Sequence, residues 1–246
     1  MVLQQLADNP TRIVVIYIAQ GAVFAVFLFL GLKVLSRDRK RLNKVFGGAY
    51  LSPAVGLFIN FIYGPLNNET IVLFLNFLTN FGIFYAPVFL VVFELILLKS
   101  EKLITTTKQL LILVGYGIAM FCMFFFLFIE NFGVIINAET NWSPVWYLPF
   151  FIYLVIIESI VVIPSFLLAF QIYVKFEDPL LKKKWRSFIY GFLFLVIFMY
   201  GIFVSNFLAN STFRLIMGII SIILAILLAS FNSFTFCLNV MANIQL

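Results

Sequence analysis

Seven long apolar runs separated by short polar breaks constrain the fold of this chain more than any other feature of its sequence. A helix that crosses the hydrocarbon core of a bilayer needs about 20 mostly apolar residues, so each run is long enough to be a transmembrane span. The predicted spans are 12–35, 45–64, 71–98, 109–130, 147–175, 187–209 and 215–238. The sequence therefore predicts one domain, residues 1–246, folded as an all-α membrane protein with a seven-transmembrane-helix bundle.

The composition agrees with this class and excludes several kinds of chemistry. The chain is 64% hydrophobic and 11% charged, whereas about 25% of the residues in a soluble domain are charged. It contains no histidine, which excludes every haem, zinc, copper or nucleophile site that depends on an imidazole. The sequence also lacks a phosphate-binding glycine loop, a CxxC pair and an acidic calcium loop. We therefore predict no cofactor, no metal site and no familiar catalytic motif.

The distribution of charge predicts an orientation. Breaks 36–44, 99–108 and 176–186 carry net charges of +4, +2 and +2, whereas 65–70 and 131–146 each hold one acidic residue and 210–214 holds only Arg214. Loops rich in Lys and Arg stay in the cytoplasm, so we expect the N-terminus outside and the C-terminus inside a cell membrane that the chain crosses several times. The net charge of +6 then reflects membrane insertion, with the lipid bilayer and not nucleic acid as the partner.

The predicted outer loops carry two further signals. Trp142 and Trp146 fall where the outer aromatic belt of a membrane protein is expected, and Trp185 falls where the inner belt is expected. One Asn-x-Ser/Thr triplet lies in each predicted outer loop, and the triplets begin at Asn68, Asn141 and Asn210. They are either glycosylation sites or ordinary loop residues.

Glu158 is the strongest single candidate for a functional residue. It lies about twelve residues into span five, roughly 17 Å from the outer end at 1.5 Å per residue, and therefore near the bilayer midplane. A charge at that depth costs at least about 2.5–3.5 kcal/mol. We expect a neutral or paired carboxyl that serves a proton-linked switch, a ligand contact or an interhelical hydrogen bond. Glu94, about one turn from the inner end of span three, is expected to reach the interface or a nearby lysine.

Five amide side chains lie in the outer halves of other spans at depths similar to that of Glu158. They are Asn76 and Asn80, which share a face of span three because they are four residues apart, and Gln20, Asn60 and Asn206. If they converge with Glu158, they line a polar cavity that is open to the outside and binds a ligand. If they do not, they form separate interhelical hydrogen bonds.

Proline and small residues predict bends and close packing. Pro87 and Pro164 lie inside spans three and five, where each removes a backbone hydrogen bond and forms either a hinge or a simple kink. Small residues recur every four positions along spans two and seven. The two stripes include Gly48, Ser52 and Gly56, and Ser221, Ala225 and Ala229. Such stripes let helices approach closely, so either the two spans contact each other or one stripe forms a homo-oligomer.

Two motifs and the overall spacing resemble the seven-helix N-terminal sensor region of membrane histidine kinases. The loop 141–147, NWSPVWY, is similar to the tryptophan-bearing start of that family's fifth helix. The run 182–187, KKKWRS, followed by Gly191 and Asn206, is similar to the basic-then-glycine-then-polar run of its sixth helix. Because the chain has no kinase after span seven and no histidine to phosphorylate, the resemblance implies a stand-alone sensing module that signals through a partner.

Three functional hypotheses follow from the sequence. The first is a receptor-like membrane sensor with a polar pocket in its outer half, an unidentified small-molecule ligand and a cytoplasmic or membrane signalling partner. The second is a small proton-linked solute transporter that uses Glu158 as its coupling residue. The third is a structural or assembly subunit of a membrane complex, held by its small-residue stripes.

Overall fold

A computed structural model describes residues 14–37 and 40–232, which form seven helical passes. The helices are α1 (Gln20–Leu35, continuous with a π-helical stretch Val14–Ala19), α2 (Arg41–Tyr63), α3 (Glu69–Phe84), α4 (Ala86–Lys99), α5 (Thr106–Phe121, followed by a 3₁₀ segment Cys122–Phe128), α6 (Leu148–Lys175), α7 (Pro179–Leu208) and α8 (Ser211–Asn232). Helices α3 and α4 together make the third pass. Six passes are long and apolar enough to cross a membrane, and the apolar part of α8, Ser211–Leu227, is shorter. The prediction of an all-α, multi-pass membrane protein is confirmed at this level; residues 12–13 and 233–238 of the predicted spans lie outside the described residues.

Contacts near the connecting loops define two ends of the bundle: Arg214 donates to Pro144 O at one end, and Arg41 donates to Ile104 O at 2.6 Å at the other. Loops 64–68, 129–147 and 209–210 form what we call the hairpin end, because β1 (Val134–Ile135) pairs there with β2 (Val145–Trp146) in an antiparallel hairpin. The sequence did not predict this hairpin. The lysine end consists of the loops around 36–40, 100–105 and 176–178.

The third pass is broken at Tyr85, two residues before Pro87. A proline has no N–H to donate, and its ring clashes with the carbonyl four residues earlier in a continuous helix, here that of Ile83. Pro87 is therefore in the first turn of α4, where a missing N–H is tolerated, and not inside a continuous helix. The Tyr85 hydroxyl donates to Leu113 O at 2.6 Å and so joins the break to α5. By contrast, α6 runs unbroken through Pro164, whose side chain is exposed; a hinge at either proline stays a prediction.

Helix α7 is the central helix of the bundle, because its aromatic side chains contact rings on four other helices. The ring pairs are Phe198–Phe27 with α1, Phe188–Phe46 with α2, Phe203–Phe84 with α3 and Phe192–Phe166 with α6. An aromatic side chain buries about 150–250 Å², so these contacts contribute much of the core. Helix α5 packs mainly against α4 at the periphery.

Two of the three tryptophans lie in the core and not in interfacial belts. Trp146 is 2% exposed and its ring packs edge-on against Phe150, because the hairpin folds it back into the bundle. Trp185 is also 2% exposed, and its indole N–H donates to Ala169 O at 2.7 Å. The predicted belt positions are therefore wrong for these two residues, and only Trp142 is partly exposed.

The two small-residue stripes pack inside the molecule. A Cβ added to Gly56 would lie 2.6 Å from Thr79 O, and one added to Gly48 would lie 2.7 Å from the Phe89 ring, so α2 lies directly against α3 and α4. The Ser52 hydroxyl donates to Gly82 O at 2.6 Å across the same contact. On α8, which packs against α7 and α1, the stripe residues Ser221 and Ala225 are buried, and the side chain of Ala229 falls outside the described residues.

Candidate functional site: a polar cavity at the hairpin end

A cavity of about 420 Å³ opens between α1, α2, α3, α7 and α8 at the hairpin end. Small-molecule sites typically have volumes of about 300–1,000 Å³. The cavity is lined by five of the six polar side chains that the sequence places at similar depth: Gln20, Asn60, Asn76, Asn80 and Asn206. Glu158 is not among the lining residues. The structure thus brings the amides together but leaves the carboxyl outside.

Hydrogen bonds between the amides join three helices around the cavity. Asn80 Nδ2 donates to Asn76 Oδ1 at 3.0 Å, one turn away on α3, and Asn76 Nδ2 donates to the Tyr63 hydroxyl of α2 at 2.9 Å. Asn60 Nδ2 of α2 donates to Gln20 Oε1 of α1. Because an amide side chain offers two donors and an acceptor with two lone pairs, this network retains hydrogen-bonding capacity for a molecule in the cavity.

Two residues that line the cavity carry buried hydroxyl groups without a hydrogen-bond partner among the described residues. They are Thr79 Oγ1 on α3 and Ser205 Oγ on α7, and both side chains are more than nine-tenths buried. A buried polar group without a partner costs about 1–3 kcal/mol. Both residues line the cavity, but their hydroxyl oxygens expose almost no surface to it, so a molecule in the cavity reaches them only if the side chains rotate.

Arg214 is the one charged side chain among the described residues that line the cavity. It is partly buried in the first turn of α8, where its Nε donates to Ser205 O at 3.3 Å and one terminal nitrogen donates to Pro144 O. We did not select Arg214 from the sequence. The sequence does carry one signal for it. Arg214 is the only cation in the three predicted outer breaks, whereas the other basic residues of the breaks lie in the predicted inner ones.

The loop between the hairpin strands forms part of the cavity rim. Asn137 and Thr140 exchange two side-chain to backbone hydrogen bonds of 3.0 Å, and Trp142 N donates to Asn137 O at 2.8 Å. Asn141 and Trp142 have φ values of 49° and 56°, in the left-handed region. This turn places Trp142 and Ser143 against the cavity.

The three asparagines of the Asn-x-Ser/Thr triplets are exposed at the hairpin end. Asn68 Oδ1 accepts from Ile71 N at 3.1 Å, and Asn210 Oδ1 accepts from Phe213 N at 3.0 Å. These two side chains cap the first turns of α3 and α8, a role in which asparagine contributes about 0.5–2 kcal/mol. Glycosylation at Asn68, Asn141 or Asn210 stays a prediction.

Glu158 lies in a separate, packed region between α6, α5 and α7. Its side chain is 0% exposed, and neither carboxyl oxygen has a partner of good hydrogen-bond geometry among the described residues. Tyr116 and Tyr200 are near enough to interact with it. However, the Tyr116 hydroxyl donates to Phe84 O at 3.2 Å and the Tyr200 hydroxyl is paired with Ser159 Oγ at 2.7 Å.

A second carboxyl, that of Glu94 on α4, is also 0% exposed and accepts a hydrogen bond of 2.6 Å from the Ser165 hydroxyl. It does not reach the interface or a lysine, because α6 covers it. Ser165 is seven residues after Glu158, which places the two on one face of α6 about 10 Å apart along its axis.

The site therefore combines amide groups, unpartnered hydroxyls and one guanidinium in a single cavity, with the buried carboxyls elsewhere. No protein-family model and no curated protein matches the chain. Function is therefore argued from the site itself.

Proposed function

We propose that this chain is a seven-span, receptor-like protein of the cell membrane that binds a small polar molecule in the hairpin-end cavity and acts through a partner protein. The observation that carries the proposal is the convergence of amide side chains from four helices on one cavity, with Gln20 on α1, Asn60 on α2, Asn76 and Asn80 on α3, and Asn206 on α7. Concave sites with a few convergent polar groups are the usual form of a small-molecule site.

The orientation follows from the basic loops. Most of the Lys and Arg residues in the loops lie at the lysine end, and such loops stay in the cytoplasm. The lysine end would then face the cytoplasm and the cavity would face the outside. In this arrangement α8 is the seventh span.

Helix α7 is suited to carry a signal from the cavity to the cytoplasmic side. Near the hairpin end it lines the cavity with Gly201 and Ser205. Near the lysine end its Trp185 is bonded to Ala169 of α6, and its Lys182 ammonium lies 5.1 Å from the ring centroid of Tyr173 on α6. A ligand that displaces α7 would therefore move the basic surface at which a partner binds. The resemblance to sensor regions of histidine kinases supports the same interpretation.

The two other hypotheses receive less support from the geometry. A proton-linked transporter would have Glu158 at its substrate path, but Glu158 does not line the cavity. An assembly subunit would present its small-residue stripes to other proteins, whereas the α2 stripe packs against α3 and α4. A transporter that used this cavity would need a coupling residue other than Glu158.

The proposal is tested by thermal unfolding of the protein in lipid nanodiscs with a panel of small polar metabolites. A compound that binds only the folded state raises the free energy of unfolding by RT ln(1 + c/Kd), where c is its free concentration, so Tm rises with the logarithm of c once c exceeds Kd. Gln20→Ala removes a cavity amide, and Gln109→Ala is the matched control, because Gln109 Oε1 accepts from Arg41 Nε at 2.6 Å near the lysine end.

We expect at least one compound to stabilise the wild type and Gln109→Ala and to lose most of its effect on Gln20→Ala. The proposal fails if no compound in the panel raises Tm, or if the two variants respond equally.

A further inference from the structure

The charge of the cavity wall restricts the chemistry of what can bind there. Arg214 is the only charged side chain among the lining residues that the structure describes, and none of these residues carries a carboxylate. Glu158 and Glu94, the buried acids of the core, are both outside the cavity. The wall is therefore electropositive, and an electropositive, partly desolvated site favours an anion and disfavours a cation.

The guanidinium is held in place but is not saturated. Its two described hydrogen bonds go to the backbone carbonyls of Ser205 and Pro144. A guanidinium has five N–H donors in a fixed plane, so three remain after these two bonds. Two backbone carbonyls orient the group without neutralising it, which leaves the full charge for a carboxylate or phosphate oxygen.

The rest of the cavity wall carries uncharged polar side chains, so it favours a ligand that also has uncharged polar groups. Along α8, Arg214 and Ser221 both line the wall and are seven residues apart, which spans about 10 Å at 1.5 Å per residue. Asn76, Asn80 and Thr79 line the wall from α3. A ligand that only contained an anion would leave these groups unsatisfied, and an apolar tail would desolvate them at a cost.

We propose that the ligand of this cavity is a small monoanionic polar molecule, whose carboxylate or phosphate binds Arg214 and whose hydroxyl or amide groups bind the amide side chains. This proposal rests on the proposed function, since it specifies the ligand of the same site. The anion can belong to a dissolved molecule or to a lipid headgroup, and both sources share this chemistry.

The test uses the protein in nanodiscs and a panel of hydroxy- and acylamino-carboxylates, each paired with its own primary amide. Each pair differs by one charge and little in shape. The readouts are Tm and the tryptophan fluorescence, in which Trp142 at the cavity is compared with a Trp142→Phe variant that retains Trp146 and Trp185. Nanodiscs of zwitterionic lipid are compared with nanodiscs that contain phosphatidylglycerol, so that a headgroup anion is detected as a lipid-dependent rise in Tm.

We expect one or more acids, or the anionic lipid, to stabilise the wild type at concentrations at least about tenfold lower than the paired amides or the zwitterionic lipid, as a charge-assisted hydrogen bond requires. Arg214→Gln should remove this preference, and Arg214→Lys should retain part of it, because it keeps the charge without the planar donors. Lys99→Gln, which removes an exposed cation near the lysine end, is the control and should behave as wild type.

The outcomes separate this proposal from the proposed function. If amides bind as well as their acids, or if Arg214→Gln binds acids as the wild type does, the anion proposal is wrong and ligand binding stands. If no compound and no lipid changes Tm or fluorescence, both proposals fail. If Arg214→Gln does not fold, the comparison of acids and amides on the wild type and Arg214→Lys decides the question.

Discussion

The two ends of the bundle are built from the same apolar helices but fill their interiors differently. At the hairpin end, α2 and α3 meet through glycines, and the space beside them is a cavity lined by amides and hydroxyls. Toward the lysine end, α2 and α4 meet through stacked rings, with the Phe46 and Phe93 centroids 4.6 Å apart and Trp185 and Phe188 4.5 Å apart on α7. The lysine end is filled by aromatic rings, and the hairpin end leaves a cavity with polar walls.

This difference separates residues that stabilise the fold from residues that serve a site. Interhelical hydrogen bonds in membrane proteins contribute only about 0.6 kcal/mol on average. A group of amides with two unpartnered hydroxyls is therefore a poor way to hold helices together. The comparison predicts large stability effects at the aromatic end and small stability effects, with large binding effects, at the cavity.

The largest effect is expected for Phe93→Ala. Phe93 is 1% exposed and packs against Phe46, Trp185 and Phe188. Truncation of a buried phenylalanine costs about 3–5 kcal/mol, because it leaves a cavity. Unfolding in mixed micelles measures the change, and Phe29→Ala, at a site 59% exposed, is the control. A loss below about 1 kcal/mol at Phe93 would contradict the assignment of stability to this end.

A smaller effect is expected for Gly56→Ala, which forces the cavity-side helices apart. The new Cβ would lie 2.6 Å from the backbone oxygen of Thr79, and overpacking of this kind costs about 1–3 kcal/mol. Gly115→Ala is the matched control, since a Cβ there meets no atom within 4 Å. Equal Tm values for the two alanine variants would show that α2 and α3 are not in close contact.

The sequence predicts the depth of a residue along its helix better than its direction around the helix axis. The lengths of the apolar runs predict where the helices lie. The depth of each residue along its helix correctly predicts that Asn76, Asn80 and Asn60 lie at the same level. Depth does not fix the angle around a helix axis, and that angle directs Glu158 into the packed region between α5, α6 and α7. In the sequence, Arg214 is only a topology signal, because its place in the cavity wall depends on the fold around it.

Tertiary packing also changes two features that the sequence predicts from position alone, the location of Trp146 and the helix geometry at Pro87. Trp146 leaves the expected interface because the hairpin carries its indole into the core, where Phe84 and Phe203 surround it. The break at Tyr85 follows from Pro87, but its exact position depends on the contact with α5. These features arise from tertiary contacts, which a single sequence does not specify.

The smallest stability effect is expected for Thr79→Val, which replaces an unpartnered buried hydroxyl by a methyl group of similar size. Removal of an unsatisfied polar atom should leave the free energy of unfolding of the ligand-free protein unchanged or raise it by up to about 1 kcal/mol. Weaker binding of a cavity compound to this variant would show that the hydroxyl rotates toward the ligand. A clear loss of stability without ligand would instead mean that the hydroxyl has a structural partner. Thermal unfolding with and without the compound gives both quantities.

The central claim is that the hairpin end encloses an accessible polar cavity, whereas the core around Glu94 is closed. Cysteine accessibility tests this claim most directly. In a Cys122→Ala, Cys237→Ala background, Ser221→Cys places a thiol on the cavity wall, and Ser165→Cys places one beside the buried Glu94 carboxyl. The account predicts that a small, membrane-impermeant thiol reagent added outside intact cells modifies Ser221→Cys, that a ligand slows this reaction, and that Ser165→Cys is unreactive. Modification of Ser165→Cys at an equal rate, or no reaction at Ser221→Cys in folded protein, would contradict it.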